Sequence, residues 1–239
     1  MKIGVFAYDF PHYKSQQGLL HLMAAGLKPT VVLAQKKLKL DIEYSNIRII
    51  PRRIFVNETE NVAKAFGIPY IKCLHDSGEV EKVIKYLRLD IGVVLGARIL
   101  KKNTIEAFNK GILNMHPGII PANRGLDNIK WAVLDNLKQG VTTHFIDERV
   151  DMGRIVNLRE VSVYPDDTLS DIQMRVHEVE LMAMVRVLRQ YKDKKMVVEK
   201  IVKTKGKYNR PLTIDEEVRL LNKFEYYKTY YHKMRIGWK

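Results

Sequence analysis

The sequence predicts an α/β fold: a doubly wound, mostly parallel sheet with a small C-terminal strand-plus-helix extension. Three observations predict it. Short apolar runs alternate with helical stretches along most of the chain, the rhythm of strand–helix–strand units. The run Ile91-Gly-Val-Val-Leu95 is continuously apolar, as a parallel strand covered on both faces should be. The length, 239 residues, suits one such domain with an appendage and is enough for a sizeable core.

Taken in order, residues 2–8 (Lys-Ile-Gly-Val-Phe-Ala-Tyr) read as a buried first strand, followed by a helix from Gly18 to Ala25. Residues 30–34 (Thr-Val-Val-Leu-Ala) are a second strand. The turn between these strands, Asp9 to Gln17, has no glycine, which argues against a phosphate cradle of the dinucleotide or P-loop kind. Residues 35–56 are irregular and basic, with a short strand expected at Ile47-Arg-Ile-Ile50. A helix over 58–66 should end at Gly67, a C-cap glycine, with Pro69 blocking its continuation. Strand 70–73 and helix 77–88 come next, and Ser77 with Glu79 and Glu81 marks the helix start. After the strand at 91–95, a further apolar run at Gly111-Ile-Leu113 is halted by Pro117 and Gly118.

Residues 128–137 form a helix carrying Trp131, a core anchor. Strands at 140–147 and 153–163 flank a loop at Asp151. Residues 168–190 make a long amphipathic helix, with Leu169, Ile172, Val176, Val179 and Ala183 at three- and four-residue steps. On it His177 and Glu178 are expected to be solvated or half-buried, without chemistry. Beyond 191 the character shifts to a strand at Met196–Val202, a basic loop from Lys203 to Pro211, and a helix over 214–236 rich in Tyr and Lys. The chain therefore divides into a main domain, 1–190, and a basic extension, 191–239.

Composition excludes several classes. Hydrophobic content of 46% with 28% charged residues is that of a soluble globular protein. No apolar run approaches the roughly 20 residues of a membrane span. The start, Met1-Lys-Ile-Gly-Val-Phe-Ala, reads as a strand rather than a signal peptide. The single cysteine, Cys73, allows no internal disulfide and fits a reducing, cytoplasmic setting. No Cys/His cluster has zinc spacing, so no metal site is expected. The net charge of +14 suits nucleic acid, anionic membranes or phosphorylated small molecules alike. Residues 190–239 hold 14 basic against 6 acidic side chains, so most of the surplus lies in the extension. Tyr226, Tyr227, Tyr230 and Tyr231 there could stack bases; the commoner use of such a pattern is a helix docking on its own domain or on a second subunit.

The chemistry-bearing stretch is Asn114-Met-His-Pro-Gly118. Asn114 and His116 should stand at the carboxyl end of the strand that ends there, the edge where open α/β sheets bind ligands. The fuller string runs from Asn114 to Arg124-Gly125, through Trp131-Ala132 and Gly140-Val-Thr-Thr-His144, to Val150-Asp-Met-Gly-Arg-Ile155. It resembles the folate-dependent formyltransferases, which act on glycinamide ribonucleotide, methionyl-tRNA or amino sugars. The resemblance covers roughly residues 90–156; the rest matches in layout only. It implies a Rossmann-like catalytic domain over 1–190 and N10-formyltetrahydrofolate as co-substrate.

It also implies roles for particular residues. Asn114 would donate an amide N–H to the developing oxyanion. His116 would take a proton from the incoming amine and pass it to the leaving nitrogen, since an imidazole ordinarily titrates near neutrality. Asp151 would hold that imidazole. Arg98, Ile99 and Leu100, in the loop after the 91–95 strand, would bind the pterin through backbone groups, and Asp147, Glu148, Arg149 and Val150 would form a second folate-contacting segment. Thr142 and His144 lie on one strand face; His144 is a neighbour of the site or a packed structural histidine. Gly118 departs from the resemblance, where many relatives carry Ser; the departure bears on loop stability more than on chemistry.

Within the resembling family, the glycine-free turn at Asp9–Gln17 disfavours glycinamide ribonucleotide, and the short stretch after 190 disfavours the barrel-bearing methionyl-tRNA enzymes. An N-terminal regulatory domain, as formyl-folate hydrolases carry, is not expected here. A nucleotide-linked amino sugar is the expected acceptor, such as a GDP- or dTDP-4-amino-4,6-dideoxyhexose destined for O-antigen or lipopolysaccharide, with a homodimer possible and no nucleic acid or membrane partner. From another class, a basic RNA-binding protein on the same scaffold would explain the charge but not the Asn114, His116, Asp151 set.

Overall fold

In the computed structural model the described residues are 1–38, 47, 49–51, 55–149, 151, 153–195, 200–201 and 206–235. The chain runs β1 (Ile3–Tyr8), α1 (Tyr13–Ala24), β2 (Val31–Gln35), α2 (Thr59–Ala65), β3 (Tyr70–Lys72), α3 (Gly78–Leu87), β4 (Ile91–Val94) and α4 (Lys102–Glu106). It continues with β5 (Ile112–His116), β6 (Arg124–Gly125), α5 (Asn128–Leu134), β7 (Gly140–Phe145), β8 (Arg154–Glu160), α6 (Leu169–Lys192), β9 (Lys200–Ile201), β10 (Tyr208–Asn209) and α7 (Ile214–Arg235). The main sheet has the order β3-β2-β1-β4-β5-β7-β8-β9. From β3 to β5 all neighbours are parallel; β7, β8 and β9 add antiparallel. This is a Rossmann-like, mostly parallel sheet.

Alternation along β1 shows how the sheet is covered. Ile3, Val5 and Ala7 face one core, built with Leu19 and Leu22 of α1 and Ile172 and Val176 of α6; Phe6 faces the other, with Val80 and Ile84 of α3 and Ile105 of α4. Burying each such side chain stabilises by roughly 1.5–3 kcal/mol. Helices on both faces leave the carboxyl ends of β1, β4 and β5 as the open edge.

Several ends differ from expectation. Helix α1 starts at Tyr13, not Gly18, because the His12 side chain caps it, accepting from Ser15 N–H at 3.3 Å. Histidine is not among the favoured N-caps, so this start carries no sequence signal. Ile47, Ile49 and Ile50 are not in a strand, and Arg48 lies outside the described residues, as do Arg52 and Arg53. Of the strand expected at 196–202, Lys200 and Ile201 pair with β8; Met196–Glu199 and Val202 lie outside the described residues, as do Lys203–Lys205 of the basic loop. Helix α3 is capped by Ser77, which accepts from Val80 N–H, and Gly67 closes α2 at φ 57°.

Strand β10 and helix α7 pack on the motif region. Strand β10 pairs with β6, and α7 lies along α5. Trp131 is buried and donates Nε1–H to the Arg210 carbonyl at 2.7 Å. Tyr227 and Tyr231 donate to the carbonyls of Leu137 and Asn136, both at 2.7 Å, which is docking on the chain's own domain. Tyr226 and Tyr230 face outward, with ring centroids 6.1 Å apart.

Candidate active site

Pairing between β4 and β5 stops at Val93–Leu113, so Asn114, Met115 and His116 run past their parallel neighbour to the sheet's open edge. On the other side β7 continues antiparallel, with Asn114 opposite His144 and His116 opposite Thr142. Directly opposed residues share a face, so these four side chains form one polar group. Asn114 Nδ2 lies 3.3 Å from His144 Nε2. An amide N–H can only donate, so His144 accepts at Nε2 and leaves the second Asn114 N–H for another partner. His144 is fully buried and is both packed and a neighbour of the site. Thr142 Oγ1 donates to Gly118 O at 2.7 Å and accepts from Ile120 N–H at 3.1 Å, tying the turn after His116 back to β7.

His116 is 3% exposed and bracketed by two acceptors. Its Nδ1 is 3.3 Å from Asp151 Oδ1, and its Nε2 is 2.9 Å from the Asn123 carbonyl. An imidazole that satisfies both carries both protons; the neutral ring must release one contact. Asp151 turns inward at a left-handed φ of 48°, and its Oδ2 accepts from Gly125 N–H at 2.8 Å. Burial pushes the Asp151 carboxyl up, but the bond from His116, the charge on that ring and the Gly125 N–H together hold it below the usual carboxylate value. At Gly153, φ is 95° and an added Cβ would run into the Phe145 carbonyl, so only glycine fits there. Met152 lies outside the described residues.

Gly118 has a closer part than loop stability alone. A Cβ there would lie 2.5 Å from Asn123 O and 2.9 Å from His116 Nε2, so the missing side chain makes room for the imidazole and its acceptor. Asn123 and Gly125 carry backbone partners of His116 and Asp151, and sequence reasoning missed both roles. Backbone contacts leave no residue-type signal except the glycine.

The two loops expected to hold folate lie on the same side of the sheet. Leu100 is buried in the core cluster that Ala97 and Ile146 border, so the loop after β4 meets the start of the segment after β7. Arg98 and Ile99 are exposed. The Tyr8 hydroxyl donates to Ala97 O at 3.0 Å, and Gly96 packs against the Tyr8 ring. Asp147 accepts from Arg149 N–H at 2.9 Å and pairs with its guanidinium. Burial raises the Asp147 carboxyl, and Arg149 with a smaller contribution from His144 brings it below its ordinary value. Glu148 is exposed beside them, and Val150 lies outside the described residues.

On the far side of Pro117 opens a cleft of about 540 Å³ whose walls include His12, Tyr13, Lys14, His177 and Glu180. Lys14 Nζ bridges Glu180 Oε1 at 2.7 Å and the Met115 carbonyl at 3.3 Å. His177, expected to be idle, faces the buried Glu180 at 3.4 Å. Burial raises the Glu180 carboxyl, yet Lys14 and His177 hold it below the usual value. Burial pushes His12 down to about 4, so it is neutral beside the cleft, with a cationic Lys14 adding to that effect. Among the described residues, no group of three or more His, Cys, Asp or Glu side chains could hold a metal ion.

Fold and site define a Rossmann-like protein with an Asn, a bracketed His and an Asp at the carboxyl edge of its sheet. The chain belongs to the formyl transferase family, whose pattern matches residues 1–188. It is 30% identical over 128 residues to the phosphoribosylglycinamide formyltransferase of Bacillus subtilis, covering 49% of this chain and 66% of that protein. With the methionyl-tRNA formyltransferase of Chlorobium chlorochromatii it shares 28% over 133 residues, 54% of this chain and 42% of that one. The matches thus span two thirds or less of these relatives. In fold it is similar to a sugar N-formyltransferase from a Shewanella species (TM-score 0.62, 16% identity, 92% of this chain and 87% of that chain). It is similar too to glycinamide ribonucleotide transformylase 1 from Symbiobacterium toebii (TM-score 0.64, 20% identity, 85% and 94%).

Proposed function

We propose that this protein transfers a formyl group from N10-formyltetrahydrofolate to the primary amine of a nucleotide-linked amino sugar. The observation that supports the transfer is His116 paired with Asp151 at the sheet edge beside a cleft, with Asn114 two residues back on the same strand and bonded to His144. The amine nitrogen attacks the formyl carbon, a C–N bond forms, and the carbonyl becomes an oxyanion. The free N–H of Asn114 would stabilise that charge. Collapse breaks the bond to N10, which takes a proton as the former amine loses one. His116, held between Asp151 and Asn123 O, would take the proton from the attacking amine and pass it to the leaving nitrogen. Asp151 orients it and stabilises its charge.

The donor would lie against Arg98, Ile99 and Leu100 and the segment Asp147, Glu148, Arg149 and Val150. The acceptor would enter from the cleft walled by Lys14, His177 and Glu180. What favours a sugar over glycinamide ribonucleotide is the turn after β1. It has no glycine and carries the rings of Phe10 and His12 against Tyr8, with Tyr8 stacked on Phe10 at 4.9 Å, unlike the glycine-rich turns that cradle a phosphate. Glycinamide ribonucleotide and methionyl-tRNA are the runner-up acceptors, favoured by the sequence relatives. Turnover of N10-formyltetrahydrofolate with a panel of GDP- and dTDP-amino sugars, glycinamide ribonucleotide and methionyl-tRNA tests the reading. Formylation of at least one amino sugar is expected; turnover confined to either of the last two would replace the sugar assignment.

A further inference from the structure

Segment Gly206–Asn209 lies beyond the residues matched by the family pattern, yet it touches the loop that touches the site. Backbone direction explains how. In the extended stretch 123–126, successive main-chain groups point to opposite sides. Arg124 N–H donates to the Lys207 carbonyl at 3.3 Å and Leu126 N–H to the Asn209 carbonyl at 2.9 Å. Between them, Gly125 N–H points the other way, to Asp151 Oδ2, and the Asn123 carbonyl faces His116 Nε2. The buried side chain of Asn209 adds a third tie, donating Nδ2–H to Asn123 Oδ1 at 2.8 Å. Packing leaves no slack. A Cβ on Gly206 would run into the Pro121 carbonyl, and one on Gly125 would run into the Asn209 carbonyl. Two further anchors hold the segment's far end: Trp131 Nε1–H to Arg210 O, and Leu212 N–H to Asp127 Oδ2 at 3.2 Å.

We propose that Gly206–Asn209 is a positioning clamp, holding Asn123 and Gly125 against His116 and Asp151 and so setting the geometry of formyl transfer. The part about transfer rests on the function proposed above; the part about positioning does not. The clamp touches neither reacting group, so its loss should misplace the imidazole and carboxylate without removing a substrate contact.

The test is Asn209→Leu, close in shape but without the donor, with Asn209→Ala as the second variant should the first not fold. The substrate-free readout is amide exchange at Gly125, with Val5 of β1 as reference. We expect Gly125 to exchange about tenfold faster while Val5 is unchanged, as loss of one local hydrogen bond implies. In turnover, kcat should fall roughly tenfold to a hundredfold with KM for donor and acceptor nearly constant, the mark of misplacement. Unchanged exchange at Gly125 would overturn the clamp whatever the substrate. Faster exchange with wild-type kcat, or a change confined to KM, would overturn its part in the reaction. A wild-type protein that formylates none of the amines would refute the proposed function, while the exchange result would still decide the clamp.

Discussion

Strands β1 and β7 are both six residues long and both flanked by strands on either side, yet they are built differently. β1 reads Ile-Gly-Val-Phe-Ala-Tyr and buries apolar side chains into both cores. β7 reads Gly-Val-Thr-Thr-His-Phe and is buried throughout, with three polar residues at 0% exposure. A buried hydroxyl or imidazole without a partner costs roughly 1–3 kcal/mol, so each polar choice in β7 needs a structural return. Thr142 finds it in Gly118 O and Ile120 N, and His144 in Asn114, whereas the Thr143 hydroxyl has no hydrogen-bond partner among the described residues. The difference separates a strand that holds the sheet together from one that holds a site in place.

The largest expected effect sharpens that contrast. His116→Ala should lower kcat roughly 10²–10⁴-fold and Asn114→Ala roughly 10²–10³-fold, with urea midpoints close to wild type. Phe6→Ala in β1 should do the reverse, costing about 3–5 kcal/mol of stability with kcat per folded molecule unchanged. Equal kcat losses for Phe6→Ala and Asn114→Ala would erase the distinction. Next comes Thr142→Val, which keeps the shape of β7 but strands Gly118 O and Ile120 N–H. Stability should drop by about 1–3 kcal/mol and kcat by roughly tenfold, because the turn beside His116 loosens. A stable variant with full kcat would show that β7's hydroxyl is not holding the site.

A smaller, pH-dependent effect belongs to Asp151. Its folded-state value lies below that of an unfolded chain, so it stabilises the fold fully above the ordinary carboxylate pKa of about 4. That contribution is lost as the pH falls through the lower folded value. Urea midpoints of wild type and Asp151→Asn should therefore differ at neutral pH and converge in acid; a constant gap would show that the carboxylate's charge is not what the native site stabilises. Smallest of all, Arg98→Ala should change stability by less than about 0.5 kcal/mol, since the side chain is exposed, and leave the donor KM near wild type if the loop binds through its backbone. A large KM increase would assign the guanidinium itself a contact.

Much of this was legible because local chemistry repeats it. Ile91–Val94 could only be a covered strand, Gly67 and Ser77 announced helix ends, and Leu169, Ile172, Val176, Val179 and Ala183 marked the inward face of α6, with Val179 partly buried at its border. The Tyr-rich helix shows the limit of such reading. Its alternation of tyrosine and charge looked the same whether it stacked ligands or docked, and only packing against α5 separated buried Tyr227 from outward Tyr226.

By itself the sequence determined the alternation of strands and helices, the edge at which Asn114 and His116 stand, and the inward turn that Gly153 permits at Asp151, because each depends on residue type over a few neighbouring positions. Tertiary structure alone decided that Lys14 caps the Met115 carbonyl, that Asn123 and Gly125 hold His116 and Asp151, and that Asn209 reaches back to Asn123. Those contacts join positions 7 to 101 residues apart, three of the four through main-chain groups that every residue possesses. A backbone carbonyl has no letter of its own, so where it points is known only once the chain has folded around it.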